Sequence, residues 1–61
     1  MLGRKTYDNV THAVVHTIDG HPTEVTLNVN NTYVSEEVLP TMTLDEVVKY
    51  LENTYDVEVK Y

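Results

Sequence analysis

Residues 11–29 read THAVVHTIDGHPTEVTLNV, two runs rich in β-branched residues on either side of Asp19-Gly20. An Asp-Gly pair between such runs signals a two-residue hairpin, because a type I′ turn needs positive φ at both central positions. The pair also sets a register, with strands from about Tyr7 to Ile18 and from about His21 to Val29. If Ile18 faces His21, then Val14 faces Val25 and Val10 faces Val29. Val10, Val14 and Ile18 form the expected core row, with His12 and His16 on the same face at its margin. Thr11, Ala13 and Val15 point the other way. Pro22 falls opposite Thr17 in a non-hydrogen-bonded pair beside the turn, where its missing N–H costs the ladder nothing.

Outward from the hairpin, the next segment is NNTYVSEEVLP (30–40). Asn30-Asn31 is a turn signal, and residues 33–38 read equally as a short third strand or as a loop. MTLDEVVKYLEN (42–53) is a helix sentence. Thr43 and Glu46 form a capping box, and Met42 with Val47 a hydrophobic staple. Leu44, Val47, Val48 and Leu51 recur at i, i+3, i+4 and i+7, one apolar stripe of a helix spanning about 44–53. YDVEVKY (55–61) then alternates strictly, with Tyr55, Val57, Val59 and Tyr61 on one side, a strand with one wet face. The expectation is a single small α+β domain over residues 1–61. It has an antiparallel or mixed sheet, made of the N-terminal hairpin, the ambiguous segment and a C-terminal strand, with one helix packed on one face.

A chain of 61 residues without cysteine buries only roughly 60% of the surface its unfolded form exposes. Small domains commonly supplement this with disulfides, a metal or self-association. The first is closed here, so a homodimer is expected. No stretch approaches the roughly 18 apolar residues of a membrane span, and MLGRKTYDNV lacks the apolar run of a secretion signal. A soluble, cytoplasmic protein is expected.

The histidines do not assemble a site on this register. His12 and His16 stand about 13 Å apart along one strand, at roughly 3.3 Å per residue, too far to share an ion. His16 and His21 are diagonal neighbours, but no hairpin carboxylate falls on their face to complete a tetrahedral set. With one serine, no cysteine and no glycine-rich phosphate loop, no nucleophile and base pair is in view. No catalytic residue, no metal site and no cofactor are expected, and the protein is read as non-enzymatic.

Charge is the remaining signal. Ten acidic residues against four basic ones give a net charge of −6. Between Glu36 and Glu58 seven acids face only Lys49. Such a balance disfavours direct binding to nucleic acid or an anionic membrane and favours a basic partner. The candidate partner-binding residues are Glu36, Glu37, Asp45, Glu46, Glu52, Asp56 and Glu58. Tyr50, on the flank of the helix, is a candidate interface anchor or a boundary residue over the core rim.

In its small size, acidity, lack of cysteine and single domain, with carboxylates in SEEV, LDEV and YDVEV, the chain resembles the small acidic host-takeover proteins of bacteriophages of the DNA-mimic type. Inhibitors of the nucleoid protein HU and of uracil-DNA glycosylase belong to that type. The resemblance implies a dimeric inhibitor that occupies the nucleic-acid-binding surface of a basic DNA-binding host protein, in the host cytoplasm. The alternative reading is a small dimeric interaction module that takes its partner through an open sheet edge and not by charge.

Overall fold

Asp19 and Gly20 both take positive φ, 51° and 81°. There β1 (Val10–Ile18) turns back antiparallel into β2 (His21–Val29) in the computed structural model, which describes residues 1–61. Asn30 and Asn31 repeat the device, with φ of 51° and 65°. Asparagine tolerates this region because its short polar side chain bonds the local backbone, and here Asn28 Oδ1 accepts the Asn31 N–H at 3.1 Å. The ambiguous segment is therefore a strand, β3 (Thr32–Glu37), antiparallel to β2. The helix α1 (Leu44–Tyr55) follows, then a two-residue β4 (Val59–Lys60) parallel to β1. The mixed sheet runs β3-β2-β1-β4, and α1 lies against β1, β2 and β4. The fold is α+β, with the hairpin, third strand and C-terminal strand in one sheet. No helix is long and apolar enough to cross a membrane.

The hairpin register departs from the expected one in its middle. Val10↔Val29, Thr17↔Pro22 and Ile18↔His21 pair as expected, but from His12↔Asn28 to His16↔Glu24 the strands are offset by one residue. Two bulges create the offset, with Thr23 the extra residue in β2 and Thr11 the extra residue in β1. A slip of one residue exchanges the faces of a strand. Ala13 and Val15 are accordingly buried, while His12, His16 and Ile18 are exposed, Ile18 at 65%. Of the expected core row only Val10 packs against the core, while Val14 and Ile18 lie off it. Desolvation supplies the reason: the unbulged register lays two imidazoles on the helix side without partners, and the bulged one replaces them with Ala13 and Val15. The Thr23 hydroxyl donates to the His16 carbonyl at 3.2 Å, and Thr11 to Asn28 Oδ1 at 3.3 Å. Both extra residues thus tie the bulge they create.

The core is Ala13, Val15, Val25 and Leu27 from the hairpin, Val47, Val48 and Leu51 from α1, with Val38, Val59 and Leu2 at its ends. Leu2 enters it from the N-terminal segment, to which the sequence pattern assigns no core residue. The capping box of Thr43 and Glu46 closes in both directions. The helix runs two residues beyond the expected stop, to Tyr55, and ends on Asp56 in the left-handed region. Tyr61, grouped by alternation with Val59, is 72% exposed, whereas Val59 is buried.

A candidate acidic docking surface

Because α1 covers one side of the sheet, the other side is open, and the bulged register decides what stands on it. Three rows cross β3, β2 and β1: Tyr33, Asn28 and His12; Ser35, Thr26 and Val14; Glu37, Glu24 and His16. Glu24 and Glu37 are directly opposite, which puts their Cβ atoms about 4.5–5.5 Å apart, and like charges so placed repel. His16 Nε2 lies 2.9 Å from Thr26 Oγ1. At the other end of this face, away from Glu24 and Glu37, a hollow of about 170 Å³ is lined by His12, Val14, Asn28, Tyr33, Glu58 and Lys60 among others. Lys60 is the only cation of these strands.

The acids named from sequence divide into engaged and unengaged groups. Glu36 points to the helix side of β3, opposite Val25. It accepts a hydrogen bond from the Tyr7 hydroxyl and pairs with the N-terminal ammonium at 2.9 Å. The Tyr7 hydrogen bond first, then the ammonium, hold its carboxyl below the usual range. The same bond first, with some desolvation, raises the Tyr7 phenol. Asp45 is 3.3 Å from Lys49 in an i, i+4 pair, and Glu46 Oε1 accepts the Thr43 N–H at 3.0 Å. Asp56 is the C-cap of α1, where its backbone N–H donates to the Glu52 carbonyl at 2.9 Å and its carboxylate is exposed without an ion pair. Glu37, Glu52 and Glu58 are exposed and form no ion pair. Tyr50 is half-buried against the core and borders a hollow with Leu2, Leu39 and Met42.

Two pieces of this surface escaped the list read from sequence. Glu24 is not among the candidate binding residues, because its pairing with Glu37 depends on β3 being a strand. Tyr33, 75% exposed, stands on the same face for the same reason. The alternation in TYVSEE was the signal available for both. No group of three or more histidine, cysteine or acidic side chains converges on a point. What the surface offers chemically is paired, solvated carboxylates that accept charge-assisted hydrogen bonds from ammonium or guanidinium groups. Comparisons with protein families, curated proteins and solved structures find no match to this chain.

Proposed function

We propose that this chain is a non-enzymatic acidic protein that binds a basic DNA-binding protein and inhibits it by occupying its nucleic-acid-binding surface, in the cytoplasm of the cell where that protein works. The observation that carries the reading is the opposed pair Glu24 and Glu37 on an open sheet face. A like-charge pair without a cation is a local cost to the free protein, and a lysine or arginine of a partner relieves it. Ten acids less Glu36 and Asp45 in ion pairs and Glu46 in the capping box leave seven carboxylates free for such contacts.

Magnitudes favour self-association as part of this function. Over the 30 Å of the longest dimension a duplex presents roughly 18 phosphates. One copy divides its acids between the helix side and the sheet side, so a homodimer that joins two like faces is the better mimic. The test is capture from bacterial lysate with and without competing duplex DNA, eluted by rising salt, alongside sedimentation equilibrium. Capture of basic DNA-binding proteins, displaced by DNA and by salt and lost in the Glu24→Gln/Glu37→Gln variant, is the expected result. Capture indifferent to DNA, salt and that variant refutes the reading, and a mass fixed at 7.0 kDa at every concentration removes the dimer from it.

A further inference from the structure

The outer side of β3 is backbone without a partner. The two-residue turn at Asn30-Asn31 makes Val29 and Thr32 a hydrogen-bonded pair, and such pairs alternate along an antiparallel ladder. Thr32, Val34 and Glu36 therefore aim their N–H and C=O groups at β2, while Tyr33, Ser35 and Glu37 aim theirs away from the sheet. The Glu37 carbonyl confirms the direction, since it accepts the Leu2 N–H at 2.7 Å. No turn, loop or cap hydrogen bond reaches Tyr33 or Ser35. Edge strands are commonly guarded by proline, lysine or a bulge. β3 has neither residue, and its pairing with β2 runs unbroken from Val29↔Thr32 to Glu24↔Glu37.

The side chains beside those backbone groups discriminate between occupants. Tyr33, Ser35 and Glu37 share the open face, with Glu24 next to Glu37. A second copy laid antiparallel about Ser35 puts two such acid pairs at one seam between molecules of −6 each, and its strand meets the Leu2 contact at the Glu37 end. A short basic segment over Tyr33 and Ser35 brings no like charge and ends before the Leu2 contact. A lysine or arginine opposite Ser35 is diagonal to Glu37, about 7–8 Å between backbones and within reach of a long side chain. We infer that the outer edge of β3 takes up an extended basic segment of the partner by strand addition, Tyr33 and Ser35 supplying main-chain hydrogen bonds and Glu37 with Glu24 the countercharge. This inference rests on the basic-partner reading above and gives it a place and a mode.

A short peptide of alternating lysine and valine is the probe, with alternating glutamate and valine as its control. Titration of the labelled protein followed by amide exchange should slow the Tyr33 and Ser35 amides by at least about tenfold with the basic peptide only. Ser35→Pro removes a donor the free protein does not use, so it should keep the fold and abolish binding, while Ser35→Ala retains it. Glu24→Gln/Glu37→Gln should weaken binding about tenfold or more and flatten its salt dependence. If Ser35→Pro fails to fold, the exchange data on the unaltered chain decide alone. Binding that perturbs Asp45 and Glu52 but leaves Tyr33 and Ser35 exchange unchanged overturns the edge while leaving the basic-partner reading intact. Equal binding of the acidic peptide, or no binding of the basic one, overturns the inference. So does a doubled mass with Tyr33 and Ser35 protected before any peptide is added, which assigns the edge to a second copy.

Discussion

Glu36 shows how one acid in an acidic chain is taken out of the binding surface. Its neighbour Glu37 faces solvent on the open side, whereas Glu36 lies on the helix side and is held by Tyr7 and the N-terminal ammonium. Its carboxyl is lowered in the folded state, so it contributes stability that is present above the unfolded value of about 4.3 and is lost as pH falls through the folded one. Tyr7 has the opposite sign. Its phenol is raised, so its contribution is present below about pH 10 and is lost as pH rises through the folded value. Urea midpoints measured across pH should therefore fall at both ends. Glu36→Gln should remove most of the fall below about pH 4.5, and Tyr7→Phe should reduce the alkaline fall. Some alkaline fall will remain, since burial raises Tyr55 as well. Identical acid limbs in Glu36→Gln and the unaltered chain would show that the contact carries no stability.

At the scale of elements, the helix was legible and the hairpin was half legible. α1 announces itself by local chemistry, a capping box before an apolar stripe, and every part of that signal is local. Thr43→Ala should cost about 1 kcal/mol, read as a lower thermal midpoint, because Thr43 Oγ1 accepts the Glu46 N–H at 3.2 Å. The turn of the hairpin was equally local and was read correctly. Its register was not, because β1 carries apolar residues on both faces, Val10, Val14 and Ile18 on one and Ala13 and Val15 on the other. Which set turns inward depends on where a distant helix lies and on the desolvation of His12 and His16, and no spacing within residues 11–29 states either. A pair of substitutions separates the registers. Ala13→Asp places an unpaired charge in the core and should prevent folding, whereas Ile18→Ser at the exposed hairpin tip should shift stability by no more than about 0.5 kcal/mol. The reverse pattern in thermal melts would restore the unbulged register.

For the whole molecule, charge was legible as a sum and not as a place. Net charge, the absence of cysteine and the run of acids over 36–58 are properties of composition, and they pointed to a basic partner. Which carboxylates remain available is a property of topology. The ion pairs and the capping box engage Glu36, Asp45 and Glu46, while β3 brings Glu37 back beside Glu24. That juxtaposition has opposite consequences for the free and bound protein, which makes it testable. Glu37→Lys turns a repelling cross-strand pair into an attracting one, so the free protein should gain roughly 0.2–1 kcal/mol in urea unfolding, with the gain shrinking as salt is added. If the pair is the countercharge for a basic partner, the same variant should lose binding while it gains stability, a trade that functional sites commonly show. A variant that is more stable and binds a basic partner undiminished would separate Glu24 and Glu37 from recognition and move the contact to Glu52 and the helix side.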